Sequence, residues 1–226
     1  MKKVLKVLGI DLGGCMSGNS AYVYAHISDN TITIIEAMKE PRHKDHISCQ
    51  HFLETMLLKY EVDVIAIDAP LSLPKALTTP NTDQLPREGS GEILNPYLFR
   101  YTDYFLYHTF QLRPMPPAGD RIGRLTARMV ALLQKFEYKL PYITLNKKQT
   151  LLYEVYPKQI AKALGLSHYK QDATALFKCL NITSFQADEH LLDALLCLYG
   201  ASKIAQGDTF YPPKEVEAEG WCFPLK

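Results

Sequence analysis

The sequence predicts an α/β fold whose sheet contains parallel strands, and three observations support this prediction. An apolar, β-branched run from Val4 to Ile10 ends at Asp11, as a first strand would. A second run, Asp63–Asp68, is apolar without alternation, which is typical of a strand buried on both faces between parallel neighbours. Apolar residues recur at helical spacing between Asp45 and Tyr60, so a helix is expected to connect the two regions.

Size and composition fit one domain spanning residues 1–226, with 47% hydrophobic residues and a net charge of +1. This balance excludes a strongly basic nucleic-acid coat and an acidic tail. The five cysteines are scattered and form no CxxC pair, which favours reduced thiols and a cytoplasmic location. No apolar run reaches the roughly 18–20 residues of a membrane span, so no membrane partner is expected.

Further strands are predicted at Ser20–Ile27 and Thr31–Ala37, joined by a tight turn, and at Leu151–Tyr156, which Pro157 ends. The connections between the first three strands are short and therefore antiparallel. The helical crossover then makes the fourth strand parallel to an earlier one. Helices are predicted at about 45–60, 97–110, 120–136, 158–164, 171–180 and 187–205.

The segment 71–120 interrupts this pattern with seven prolines and a polar run at 81–92. A loop-rich insertion of this length is usually functional or mobile. The sequence leaves open whether it is a lid, a specificity loop or an interface.

Two aspartates mark the ends of the best-defined strands. If the first and fourth strands are neighbours, Asp11 and Asp68 lie about 4.8 Å apart at their carboxyl ends. Two carboxylates this close repel one another, and burial increases the cost, so a cation between them is expected. The alternative is that each aspartate is only a cap or turn residue.

Two further acids stand in apolar surroundings. Glu154 lies within the strand sequence LLYEVYP, where a carboxylate is costly unless it is paired, metal-bound or on an edge strand. Asp193 lies in a helix that is apolar nearly all round, so it either has an Arg or Lys partner or faces the same acidic cluster. Glu189 shares its helical face, whereas Asp188 is about 140° away and could instead interact with the helix dipole.

Five motifs in order, GIDLGG, DVIAIDAPLSLP, RYTD, YEVYP and DEHLLDAL, resemble uncharacterised prokaryotic proteins that are predicted nucleases with a ribonuclease H-like fold. The resemblance runs from about residue 7 to 201. It implies a mixed five-stranded sheet, with strand two antiparallel, flanked by helices. It also implies a carboxylate cluster that binds two Mg²⁺ or Mn²⁺ ions, and the matching positions are Asp11, Asp68, Glu154 and Asp193, joined by Asp188 or Glu189.

The expected activity is hydrolysis of phosphodiester bonds in nucleic acid by a two-metal mechanism. Residues 111–148 hold eight basic and two acidic side chains, a segment suited to phosphate contacts. Arg121, Arg124 and Arg128 share one helical face, although a solvated face has the same pattern. Arg100 and Asp103 stand one helical turn apart, so they either pair with one another or lie near the substrate.

Other interpretations stay open. A non-catalytic binding or scaffold protein could keep this fold, and GIDLGG also resembles the phosphate loop of actin-like and sugar-kinase phosphotransferases, although no second copy of the fold is present. His43, His46, Cys49 and His51 could suggest a transition-metal site, but their spacing matches no standard finger and a solvated helix start explains them. A homodimer is compatible with the fourteen tyrosines.

Overall fold

The computed structural model describes residues 4–14, 17–29, 31–79, 89–182 and 185–226. The strands are β1 (Leu5–Asp11), β2 (Ala21–Ser28), β3 (Thr31–Lys39), β4 (Val64–Asp68), β5 (Tyr138–Lys139), β6 (Tyr142–Leu145) and β7 (Lys148–Glu154). The helices are α1 (His46–Lys59), α2 (Lys75–Thr78), α3 (Tyr101–Phe110), α4 (Asp120–Leu133), α5 (Pro157–Ala163), α6 (Thr174–Cys179) and α7 (Glu189–Gln206).

The strands form one mixed sheet in the order β3-β2-β1-β4-β7-β6-β5. β2 is antiparallel to both of its neighbours, while β1, β4 and β7 are parallel. This topology confirms the predicted ribonuclease H-like α/β fold, with strand two antiparallel.

The prediction of five strands was wrong, because the hairpin of β5 and β6 adds two strands at the sheet edge. These strands have only two and four residues, too few to show a clear periodicity. The predicted fifth strand is β7, which begins three residues earlier than expected, at Lys148.

Helices cover both faces of the sheet, in two separate hydrophobic clusters. On one face α5, α6 and α7 pack against alternate residues of the central strands, such as Val7 and Ala66. On the other face α1 and α4 pack against the intervening residues, such as Leu8 and Ile67. Within the described residues, no helix has both the length and the apolar character needed to cross a membrane.

Residues 71–120 and the C-terminal tail are joined through Glu219. Its buried carboxylate accepts hydrogen bonds from the backbone N–H groups of Lys75 and Tyr101, at the starts of α2 and α3. α3 therefore begins at Tyr101, later than predicted. Residues 81–88 of the predicted polar run lie outside the described part of the chain. Among the described residues, no disulfide joins Cys49, Cys179, Cys197 and Cys222; Cys15 lies outside these residues.

Gly9 sets how closely α7 approaches β1. A Cβ atom at this position would lie 2.2 Å from the carbonyl oxygen of Ala194 and 2.6 Å from the backbone nitrogen of Leu198. Because both atoms belong to the helix backbone, they cannot move aside without shifting α7 away from the sheet.

We expect Gly9→Ala to lower the free energy of unfolding by about 3 kcal/mol, the upper part of the range for overpacked cores. Chemical denaturation of the variant would measure this loss. Gly14→Ala is the matched control, since a Cβ there meets nothing closer than 4.0 Å. Equal stability of the two variants would show that α7 does not pack this tightly.

Candidate active site

Asp11 and Asp68 face one another at the carboxyl ends of β1 and β4. The two residues are partners in the parallel register, and both continue the row of side chains that faces α7. Asp11 is buried, and burial is the main cause that raises its pKa above the usual range. The predicted meeting of the two strand ends is therefore observed.

The carboxylate of Asp68 makes no hydrogen bond or ion pair within the described part of the chain. Desolvation raises its pKa well above the usual range, and the charges of Asp11, Asp193 and Glu154 raise it further. Asp68 also lines a cavity of about 120 Å³, where desolvation and the charge of Asp68 raise the pKa of Tyr156 to about 12. The site is thus strongly electronegative around one unpaired carboxylate.

His190, in the first turn of α7, is a site residue that the sequence analysis did not assign. Its Nδ1 lies 2.8 Å from Oδ2 of Asp11, and the hydrogen bond raises the pKa of the imidazole. Its place directly after Asp188 and Glu189 in the last motif was the only sequence signal. The histidine can therefore carry a proton beside Asp11.

Asp193 combines the two alternatives that the sequence left open. Its carboxylate accepts hydrogen bonds from the hydroxyl of Tyr169 and the ammonium of Lys170, so it has a lysine partner. Its charge also raises the pKa of both Asp11 and Asp68, which places it in the acidic cluster. Lys170 opposes this field and lowers the pKa of the same two aspartates.

Glu154 occupies a different position from the other three acids. In the parallel register it pairs with Ile67 rather than Asp68, and Ile67 belongs to the cluster beneath α1 and α4. Because side chains alternate along a strand, the side chain of Glu154 leaves the backbone on the sheet face opposite to that of Asp11 and Asp68. Its oxygens lie 2.6 and 2.7 Å from the two terminal nitrogens of Arg100.

Arg100 and Asp103 form the rest of this buried network. Arg100 is 1% exposed, and its guanidinium bonds both oxygens of Asp103 as well as those of Glu154. Of the two predicted alternatives, the structure contains the pairing of Arg100 with Asp103. A substrate contact by either residue does not fit their burial. Arg100 therefore holds Glu154 in place through two buried hydrogen bonds.

Asp188 and Glu189 have different surroundings at the start of α7. Asp188 is the N-cap, accepts hydrogen bonds from the backbone N–H groups of His190 and Leu191, and pairs with Lys39. This is the helix-terminus role that was the alternative for Asp188. Glu189 is exposed, and its carboxylate lies 3.9 Å from both Lys170 and Nε2 of His190.

The three arginines of α4 do not act as one stripe. Arg121 and Arg124 are exposed. Arg128 is buried, where it donates hydrogen bonds to the carbonyl oxygen of Gly13 and to the carboxylate of Glu40. The predicted phosphate contact by Arg128 is therefore corrected to a structural contact that holds the loop after Asp11.

The donor set at the strand ends fits a hard divalent cation in its chemistry. Carboxylate oxygens are the ligands that Mg²⁺ and Mn²⁺ prefer, and Asp68 offers an unpaired one. Within the described residues, however, no three His, Cys, Asp or Glu side chains are grouped as ligands of one ion. The reason is visible in the contacts, since Arg100 holds Glu154 and Lys170 holds Asp193. The histidines and Cys49 of the α1 region form no such group either.

The site predicts an unusual dependence of stability on pH. The raised pKa of His190 means that its stabilising contribution is full below about pH 6.5 and is lost as pH rises through the folded-state pKa. Asp11 and Asp68 also have raised values, so their contribution falls as pH rises above about 4. Carboxylates with lowered values, such as Asp63 and Asp188, lose their stabilising contribution only as pH falls below about 4.

We therefore expect the melting temperature in chelator to fall between about pH 5.5 and 8.5, and the fall to be smaller in His190→Gln. Thermal denaturation across this range measures both. A wild-type curve that rises with pH would contradict these assignments.

Comparison with known proteins identifies a family but no activity. The family described as "Protein of unknown function (DUF429)" matches residues 9–218. Among curated proteins there is no match.

Solved structures offer distant similarity. Thermus thermophilus RuvC is 13% identical, with a TM-score of 0.45 over 91% of this chain and 97% of that one. T. thermophilus RuvC in complex with a Holliday junction substrate gives 13% identity and a TM-score of 0.44 over 90% and 96%. A ROK family protein from Streptococcus pneumoniae TIGR4, in complex with sucrose, is 12% identical with a TM-score of 0.21 and covers 48% of this chain and 32% of that one.

Proposed function

Because the chain belongs to the DUF429 family, whose function is unknown, we propose a function from the site itself: a metal-dependent nuclease that hydrolyses phosphodiester bonds in nucleic acid. The observation that carries the proposal is the pairing of Asp11 with Asp68 at adjacent strand ends, with the Asp68 carboxylate unpartnered among the described residues. Such an arrangement is costly for the folded protein, and costly polar groups are concentrated at functional sites.

Asp11 and Asp68 would hold Mg²⁺ or Mn²⁺, with Asp193 as the third carboxylate. A bound divalent cation supplies an activated water and stabilises the leaving oxygen of the phosphodiester. The predicted two-metal form would also need Glu154, which Arg100 holds in this structure, so it stays a prediction, as does a homodimer.

The chain's own residues have distinct tasks in this proposal. His190 orients the Asp11 carboxylate through Nδ1 and can take up or release a proton beside it. Lys170 balances the charge of Asp193 and reduces the repulsion within the cluster. Arg100 fixes the carboxylate of Glu154, which lines the same cavity as Asp68.

A cleavage assay tests the proposal. Single-stranded DNA, single-stranded RNA and a four-way DNA junction would each be incubated with the protein and Mg²⁺ or Mn²⁺. Wild type is expected to cleave at least one of them, and Asp68→Asn none. Glu61→Gln is the matched control, since the substitution removes one carboxylate far from the cluster. The Glu61 side chain is 75% exposed. Equal cleavage by wild type and Asp68→Asn would exclude this site as its source.

One observation favours the second candidate, a non-catalytic binding protein. The cations of Arg100 and Lys170 already neutralise two of the four carboxylates, so the cluster can persist without metal. Nucleic-acid binding by wild type, without cleavage under any metal condition, would select this candidate. A thermal shift that needs ATP would instead favour the phosphotransferase.

A further inference from the structure

A cavity of about 1020 Å³ lies between α1 and α4, on the face of the sheet opposite to α7. We call it the α1–α4 groove. Its rim carries Arg121, Arg124 and Lys135 on the α4 side and His46 and His51 on the α1 side. These are the α1 histidines and two of the α4 arginines that were singled out in the sequence and that the carboxylate site does not use.

The charges of the groove favour an anionic occupant. Arg121 and Arg124 are exposed, and neither forms an ion pair with any side chain in the described ranges. The only acidic residue among the lining residues is Glu54, whose charge is balanced by Lys135. Two guanidinium groups are thus left to bind phosphate, a ligand that matches their forked geometry.

Apolar side chains also line the groove. Leu125 and Ala131 line it from α4, and Ile47, which is 83% exposed, lines it from α1. From Arg121 to Ala131 the helix rises about 15 Å, at 1.5 Å per residue. At the spacing of about 3.4 Å per nucleotide that a strand has in a duplex, this length spans roughly four nucleotides.

We propose that the α1–α4 groove binds one strand of nucleic acid, with Arg121 and Arg124 on its phosphates and its bases against the apolar residues Ile47, Leu125 and Ala131. The cleavage of the bound strand rests on the proposed nuclease function. In that function the substrate strand lies in the α1–α4 groove before it reaches the carboxylates.

Residues of the groove are close in the chain to residues of the carboxylate site. Gly14 lines the groove and follows Asp11 by three residues. Arg128, which also lines the groove, donates a hydrogen bond to the carbonyl oxygen of Gly13 at 2.9 Å. Ile122, beside Arg121, lines the small cavity that contains Asp68. The first half of α4 therefore contacts both the groove and the acidic site.

Binding can be measured apart from cleavage. A short fluorescein-labelled single-stranded DNA would be titrated in EDTA by fluorescence anisotropy over a series of salt concentrations. Relative to wild type, Arg121→Ala/Arg124→Ala is expected to bind more weakly and to reduce the slope of log affinity against log salt by about 1.4, or about 0.7 per lost phosphate contact. Alanine is the best helix former, so α4 should persist.

Lys158→Ala/Lys178→Ala is the matched control, because it removes two exposed cations from α5 and α6 on the opposite face. This double variant is expected to keep the wild-type slope. Three results would each overturn the proposal that the groove binds nucleic acid: equal losses of affinity in both double variants, an unchanged slope in the arginine variant, or no DNA binding by wild type. The last result would indicate a protein partner for the groove instead.

The two proposals fail separately. Asp68→Asn is expected to keep DNA binding in EDTA while losing cleavage. If wild type binds DNA in the groove but cleaves no substrate, only the proposed nuclease function is rejected.

Discussion

Arg100→Met is expected to lower the free energy of unfolding by about 3–5 kcal/mol, the cost of leaving buried charges without their partner. Removal of the guanidinium leaves Glu154 and Asp103, both buried, with no cation between them. At this chain length the loss corresponds to roughly 6–20 °C in melting temperature. Urea denaturation followed by circular dichroism would measure it.

Arg113→Met is the matched control for this variant. Arg113 also pairs with a glutamate, Glu92, but both side chains are more than half exposed. An exposed pair contributes about 0–1 kcal/mol, so this variant should be nearly as stable as wild type. If Arg100→Met does not fold, Arg100→Lys keeps the charge but not the paired hydrogen bonds, and should fall between the two. Similar stabilities of the Arg100 and Arg113 variants would contradict the structural role of Arg100.

Asp68→Asn is expected to make the protein more stable in chelator, while it abolishes cleavage. The substitution removes a desolvated charge that Asp11, Asp193 and Glu154 repel. The expected gain is about 1–2 kcal/mol, or roughly 2–8 °C in melting temperature. Residues that serve a functional site at a cost in stability commonly behave in this way.

Thermal denaturation in EDTA at about pH 8 measures this gain, because the cost of a carboxylate with a raised pKa grows as pH rises. Glu61→Gln makes the same chemical change at an exposed position and should leave the melting temperature unchanged. A melting temperature for Asp68→Asn below that of wild type would mean that the carboxylate stabilises the fold and is not held under repulsion.

The central strands and the meeting of Asp11 with Asp68 could be predicted because local patterns determine them. A non-alternating apolar run requires burial on both faces, and a helical crossover requires a parallel neighbour. Both features can be read from the order and composition of segments along the chain, and the structure confirms both.

The face on which Glu154 lies could not be predicted. A shift of one residue in register moves a side chain to the other side of a sheet, and the sequence of β7 does not reveal its register against β4. The partner, Arg100, is 54 residues away in sequence.

The partners of the other acids depend on tertiary contacts of the same kind. Lys170, the partner of Asp193, lies on a turn between α5 and α6. Arg128 is on the same helical face as the exposed residues Arg121 and Arg124, yet it is buried. Helical periodicity places residues on a face but does not say how far along the helix the neighbouring elements cover that face.

Isothermal titration calorimetry with Mn²⁺ tests the metal site at Asp11 and Asp68 most directly. Saturable binding by wild type and by Glu61→Gln, and its loss in Asp68→Asn, is the predicted result. Equal binding heats for wild type and Asp68→Asn, or no binding by wild type, would contradict a divalent-cation site at these strand ends.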